Sequence, residues 1–303
     1  MLKVLIRIFI GLAFIFSGAV KLVPAEYLEN DILRSGMAND LTAPFLARFV
    51  IGSEFFIGII LLSGISKRFS LKLSLASLLM YTLYLLYVIL VFGNEGNCGC
   101  FGRQLELTPL EGILKNVALA GLSSYLLIKL PADIQSNGRR WLTIGIALLS
   151  MASPFVIYKV DLPEKITVNG SERTWIDFSP VYTDELAPGP AIDIRNGKVL
   201  VMFASLSCEH CRVAASKLEL IKSRHPQWNV LIIYNGKEEL ISDFHRDAQL
   251  KNTPCFLFND GEALARMVGV GFPTILLLEN ASVAANLNYA ELQEANLETF
   301  FGD

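Results

Sequence analysis

Apolar residues crowd into runs of about 20 residues in the N-terminal half of the chain and break into short alternating stretches in the C-terminal half. Five runs, at 4–23, 43–64, 69–92, 110–130 and 141–158, have the length needed to cross ~30 Å of hydrocarbon at a rise of ~1.5 Å per residue. The last is the shortest and carries Pro154. The first follows Lys3 and Arg7 as a signal peptide would, but its length and the lack of a small-x-small site before Pro24 favour a retained span. From Lys198 onward, β-rich runs ("KVLVMFAS", "NVLIIYN", "PCFLFND", "FPTILLLEN") alternate with helical stretches in the order β-α-β-α-β-α-β-β-α. That order predicts a mixed sheet with helices on both faces. Residues 159–197, rich in Pro, Asp and Thr, read as a linker with a possible edge strand. The expected organisation is therefore a membrane α-helical bundle over 1–158, a linker over 159–197 and an α/β domain over 198–303.

Composition agrees with a membrane protein: 52% of the 303 residues are hydrophobic and only 18% charged. The net charge of -3 offers no global basic patch, so a nucleic-acid role has no support. Placement of charge says more. Lys3 and Arg7 precede the first run, Lys67, Arg68 and Lys72 join the second to the third, and Lys129, Arg139 and Arg140 join the fourth to the fifth. By the preference of basic loops for the cytoplasm, those segments lie inside. Five crossings then place "GNEGNCGCFGRQLELTP" and everything after residue 158 outside, in one oxidising compartment. The expected location is a bacterial-type inner (cell) membrane, multi-pass, with the C-terminal domain periplasmic.

Ionisable residues inside spans are costly and mark functional sites or pairings. Glu54 stands midway along its run, with Lys21 and Arg48 as candidate partners; a helix-to-helix ion pair and a proton or quinone role are both open. Glu111 and Lys115 have i, i+4 spacing, which suggests a local pair.

Four of the five cysteines carry the candidate chemistry. Cys208-Glu209-His210-Cys211 lies where a strand gives way to a helix, so unpaired backbone N–H groups and the helix dipole favour the thiolate of Cys208. Cys211, one turn later, can resolve a mixed disulfide. Half of a zinc site or a structural disulfide are the competing readings. Zinc needs a second ligand pair, and Cys255, His225 and His245 lie at irregular spacing, so no metal site is expected. Cys255, opening a strand, reads as a buried apolar residue, and His225 and His245 as solvated helix residues.

"VLVMFASLSCEHC" and "GVGFPTILLL" resemble the active site and cis-proline loop of the thioredoxin-like superfamily over about residues 198–303. The resemblance implies that Cys208 attacks, Cys211 resolves, and the Phe272–Pro273 peptide is cis beside the dithiol. His210 resembles the arrangement in strongly oxidising relatives, whereas Glu209 stands where proline is usual and opposes that effect.

"GLAFIFSGAVKLVPAEYL", "RFVIGSEFFIGIILLSG" and "NCGCFG" resemble the DoxX/MauE family of four-helix redox-associated membrane proteins over about residues 1–130. This implies a four-helix bundle, here with a fifth span, linked to disulfide formation during methylamine dehydrogenase maturation or to quinol oxidation. Cys98-Gly99-Cys100 at the bundle mouth can form a short, strained and reactive disulfide, or alternatively a copper clip. A second tethered dithiol favours redox chemistry, since tethering raises its effective concentration to ~mM. The expected function is a membrane-anchored thiol-disulfide oxidoreductase that relays electrons between CxxC and CxC, oxidatively, with a quinone as sink and no covalent cofactor. Its partners would be extracytoplasmic protein thiols or disulfides, the bilayer and a membrane quinone. A copper-handling or assembly factor, or a structural subunit of a quinol-oxidising complex, are the alternatives.

Overall fold

The computed structural model describes residues 1–94, 107–131, 137–162, 164–166, 174–183, 189–269 and 271–302. Cys98 and Cys100 lie outside the described residues. The chain divides into two compact units, Met1–Val160 and Asp161–Asp303.

The first unit is all helical: α1 (Leu2–Leu22), α2 (Glu26–Arg34), α3 (Ala43–Ser63), α4 (Lys67–Phe92), α5 (Pro109–Lys129) and α6 (Asn137–Ile157). Among the described residues, four helices, α1, α3, α4 and α6, are long and apolar enough to cross a membrane. The run at 110–130, expected as a further span, forms the 21-residue helix α5, which carries Glu111, Lys115, Asn116 and Lys129 and is not among those four. Helix α5 packs along α4 and against α1. Its start is fixed by a capping box: Thr108 accepts from the Glu111 N–H, and the Glu111 carboxylate accepts from the Thr108 N–H.

Helix α3 is the centre of the bundle, packing on α1, α2, α4 and α6. Small residues allow this. A Cβ on Gly58 would lie 2.5 Å from the Ile15 side chain and 2.8 Å from the Gly11 carbonyl oxygen, so the α1 and α3 backbones meet there. Gly52 similarly admits α6, whose Met151 Cα would be 3.0 Å from an added Cβ.

The second unit holds β1 (Thr174–Trp175), β2 (Lys198–Ser205), α7 (Glu209–Arg224), β3 (Val230–Asn235), α8 (Ile241–Ala248), β4 (Cys255–Leu257), α9 (Gly261–Val268), β5 (Thr274–Glu279), β6 (Ser282–Leu287) and α10 (Glu294–Phe301). From Lys198 this is the β-α-β-α-β-α-β-β-α order read from the sequence. The sheet runs β1-β6-β5-β2-β3-β4 among the described residues. Strand β2 pairs parallel with β3 and antiparallel with β5, and β4 continues the parallel side. The alternation of β2 feeds two cores, as expected of a strand covered on both faces. Leu200, Met202 and Ala204 pack with α7, α8 and α10, while Val199, Val201 and Phe203 pack with α9.

The stretch 159–197, expected as a linker with a possible edge strand, contributes to this domain. Thr174–Trp175 forms the edge strand, and Phe178, Val181 and Ile194 are buried in the second core with α9. Their apolar side chains are too widely spaced among Pro, Asp and Gly to show a period, yet they cover one face of the sheet.

Candidate functional site

Strand β2 ends at Ser205, and the turn through Leu206 and Ser207 delivers Cys208 to the N-cap of α7. Cys208 keeps extended backbone, φ -87° and ψ 119°, and its Sγ accepts the Cys211 N–H at 3.2 Å. A sulfur thus takes the place that a Ser or Asp oxygen ordinarily fills at a helix start. The Phe272–Pro273 peptide is cis, and the Phe272 carbonyl oxygen lies 3.8 Å from Cys208 Sγ. Residues 64 positions apart in sequence therefore meet at one sulfur.

The two thiols differ in setting. Cys208 is half-buried, whereas Cys211 is fully buried in the first core. Burial pushes the Cys211 thiol well above the usual range, and its bond to Cys208 adds to the effect. Glu209 and His210 are exposed. The Glu209 carboxylate lies 3.8 Å from Arg212, which also pairs with Asp247 at 3.0 Å and donates to the Leu206 carbonyl at 3.0 Å. Arg212 therefore counters the charge that Glu209 brings to the dithiol. Sequence reasoning missed Arg212 and Asp247. The i, i+3 spacing from Glu209 could have indicated the first; nothing in the sequence ties Asp247 on α8 to this turn.

Two histidines read as solvated are in fact packed. His225 stacks on Trp228 with ring centroids 3.8 Å apart. His245 is half-buried, with Nε2 3.1 Å from the Tyr234 hydroxyl, and burial depresses its pKa. Cys255, half-buried on β4, donates to the Thr253 carbonyl, and burial pushes its thiol up to about 12.

In the helical unit, Glu54 is 1% exposed and takes Lys21 as its partner: Nζ lies 2.5 Å from Oε1, and Ser17 Oγ donates to the same oxygen at 3.0 Å. Arg48, the other candidate partner, pairs instead with Glu29 of α2. It also donates to the carbonyls of Pro44 (3.0 Å), Tyr158 (3.2 Å) and Lys159 (2.6 Å), tying the end of α6 to α3.

Residues 1–129 match the family model described as methylamine utilisation protein MauE. The chain is also similar to protein TlpB of Flavobacterium psychrophilum, 26% identical over 290 residues, an alignment covering 80% of this chain and 79% of that protein. Among solved structures it is similar to a secreted disulfide oxidoreductase of Mycobacterium tuberculosis, 16% identical, covering 40% of this chain and 98% of that one, with a TM-score of 0.31. A thiol:disulfide interchange protein from Bacteroides sp. is 18% identical, covering 48% of this chain and 93% of that one, with a TM-score of 0.33. Residues 1–129, which match the MauE model, thus precede an α/β domain whose Cys208 and Cys211 meet at the start of α7, with the Phe272 carbonyl beside the first sulfur.

Proposed function

We propose that the protein is a membrane-anchored thiol-disulfide oxidoreductase acting in the direction of disulfide formation on extracytoplasmic proteins. The observation that carries this reading is the unequal dithiol at the start of α7: an accessible Cys208 at the helix N-cap and a Cys211 buried behind it. A thiolate of the client attacks Cys208 Sγ of the oxidised pair, the Cys208–Cys211 bond breaks, and Cys211 leaves as a thiolate that takes up a proton. The client's second thiol then attacks its own sulfur in the mixed disulfide. The client leaves oxidised, and two electrons and two protons remain on Cys208 and Cys211. Burial of Cys211 holds it as the thiol between turnovers. Pro273, with Phe272, borders the sulfur that is attacked.

The reduced pair is reoxidised in turn by a Cys98–Cys100 disulfide. Cys208 attacks, a mixed disulfide forms, and Cys211 closes the ring, leaving Cys98 and Cys100 reduced. A membrane quinone accepts their two electrons and two protons and becomes the quinol. With α5 counted as a fifth crossing, as the 3.1 Å bond from Lys3 Nζ to the Lys129 carbonyl at its end supports, the basic residues at Lys67, Arg68, Lys72, Lys129, Arg139 and Arg140 favour a topology with both dithiols on the periplasmic side of a bacterial-type inner membrane. No span contains a cysteine to carry electrons outward from the cytoplasm, which supports oxidation over reduction.

The test is trapping. In the full chain, Cys211→Ser leaves a Cys208 that can attack the Cys98–Cys100 disulfide but no thiol to resolve the product, so a mixed disulfide of Cys208 with Cys98 or Cys100 should accumulate. The adduct should vanish with Cys208→Ser. Thiol states at 98/100 that stay unchanged when 208/211 is blocked would sink the relay.

A further inference from the structure

We propose that the helical unit binds a neutral, lipid-soluble molecule whose polar head is a hydroxyl, a group that both donates and accepts a hydrogen bond. A cavity of about 290 Å³ lies between α1, α2, α3, α4 and α5. Most of its lining is apolar, Phe14 and Leu78 included, while Glu54, Tyr81 and Asn116 bring polar atoms to it. Leu46 on α3 and Met80 on α4 also line it and are exposed, so the cavity reaches the outer surface of helices long and apolar enough to span a bilayer. Small-molecule sites span roughly 300–1,000 Å³, and this volume suits a ring or compact head, with any longer tail left in lipid.

The unused polar atoms are of both kinds. Asn116 is 1% exposed, and neither its amide nitrogen nor its carbonyl oxygen has a hydrogen-bond partner among the described residues. Whichever way the amide is turned, it presents one unmet donor group and one unmet acceptor. Glu54 uses Oε1 on Lys21 and Ser17, while its Oε2, an acceptor, meets no hydrogen-bond donor among the described residues. The buried Tyr81 hydroxyl stands near Glu54 and Ser53 and makes no hydrogen bond to a described residue. If Tyr81 were to turn its O–H onto Glu54, Asn116 would still keep a donor and an acceptor to satisfy. A dione or a carboxylate only accepts and an ammonium only donates, so each would leave part of this set unmet. A hydroxyl is the smallest head that serves both: its proton goes to Glu54 Oε2 or the Asn116 carbonyl, and its oxygen accepts from the Asn116 amide or from Tyr81. Water has the same capacity, but it is poorly held along apolar walls, where it lacks the two to four polar partners it needs. An amphiphile places its hydroxyl at the polar atoms and its apolar body along Phe14 and Leu78.

Two sources share this chemistry: the aromatic hydroxyl of a phenol or quinol, and the aliphatic hydroxyl of a neutral lipid. The quinol assignment rests on the relay proposed above; the site does not. The experiment is equilibrium dialysis of the delipidated, detergent-solubilised full chain against radiolabelled para-octylphenol, decanol and the methyl ether of each, with a detergent-only chamber to subtract uptake by micelles. Each ether keeps the shape and the acceptor and lacks the donor. At least one hydroxyl probe should bind at least ~10-fold tighter than its ether. Asn116→Leu should weaken that probe at least ~10-fold and narrow its lead over the ether, and Ala13→Phe, which fills space at the cavity wall, should weaken it comparably. Leu148→Phe, on the exposed side of α6, should leave all affinities unchanged. Melting temperatures establish that the variants fold, and Asn116→Ser replaces Asn116→Leu should the latter not fold. Preference for the phenol assigns an aromatic hydroxyl, the chemistry of the quinol that the relay would release. Binding of decanol as well or better upholds the site and assigns an aliphatic alcohol, detached from the relay, which the trapping experiment tests separately. Ethers that bind as tightly as their parent hydroxyls, no binding by any probe, or affinities indifferent to position 116 or to position 13 overturn the proposal and leave a water-filled cavity.

Discussion

Breaking the Lys21–Glu54 pair from one side should be far more damaging than removing it whole. At 2.5 Å and an effective dielectric constant of ~20, the mutual attraction is about 7 kcal/mol. Both side chains are nearly dry, 8% and 1% exposed, and withdrawing each ion from water costs several kcal/mol, so the pair's net contribution is close to zero. Truncating one partner forfeits the attraction but keeps the other's desolvation cost. Lys21→Met and Glu54→Leu should therefore each lower stability by about 3–5 kcal/mol, whereas the double variant should lie within about 1 kcal/mol of the parent. The implied coupling energy is at least ~5 kcal/mol, far outside the ~0.5 kcal/mol additivity of independent sites. The measurement is an SDS titration of the dodecyl-maltoside-solubilised full chain, followed by Trp141 fluorescence in a Trp175→Phe, Trp228→Phe background. This background leaves the α6 tryptophan as the sole reporter on the bundle. Additive single costs, or singles below ~1 kcal/mol, would refute the view that these ions are held out of water.

Three other outcomes follow from particular contacts. Iodoacetamide at pH 8 should label Cys208 of the reduced native chain and spare Cys211, whose thiol is buried and held protonated; peptide mass spectrometry reads the ratio, and equal labelling would contradict the burial. Glu219→Ala should destabilise the α/β domain by about 3–5 kcal/mol in thermal unfolding, because the buried carboxylate accepts from both N–H and side chain of Asn252 and of Thr253, at 2.7–2.9 Å, and its loss orphans four donors. His245, depressed by burial, is protonated more readily in the unfolded chain than in the folded one, so its contribution to stability is full above the unfolded value of ~6.5 and declines as pH falls through the lower folded value. His245→Gln, which keeps a donor for Tyr234, should flatten that acid limb, and an unchanged melting-temperature profile from pH 7 to pH 5 would contradict it.

How much of this was legible in the sequence depends on the distance over which each feature is decided. The element order from Lys198 was readable because β2 and β3 are apolar runs bounded by polar turns, a local signal. The dithiol was readable for the same reason, four residues at a strand-to-helix junction. Glu54 stood out as an ion in an apolar run, and Lys21 was one of two partners within reach. Helix spacing already disfavours Arg48, six residues from Glu54 on α3 and on a different face, whereas the pairing with Lys21 depends on how α1 and α3 pack about their Gly11–Gly58 contact. Likewise the core role of Phe178, Val181 and Ile194 is set by the sheet face they cover and not by any period of their own. Asn116 interrupts an apolar run in the sequence, but only the assembled bundle shows it buried with no hydrogen-bond partner among the described residues.

The buried polar groups of the helical unit sort themselves by how completely they are satisfied. Arg48, 1% exposed, reaches Glu29 and three carbonyls, on α3 itself and beyond the end of α6, so every arm of its planar fork is engaged. Such a group specifies one arrangement of helices and leaves nothing for a ligand. Ser74 and Ser123 likewise close on each other across α4 and α5 at 3.2 Å. Glu54 and Asn116 are buried to the same extent, yet keep polar atoms that no described residue meets, and both border the cavity. Ser150, 4% exposed, also keeps an Oγ that no described residue meets, and it does not border the cavity, so incomplete satisfaction is not confined to the cavity wall. The completed networks, Arg48 with its carbonyls and Ser74 with Ser123, are the ones that fasten the helices to one another.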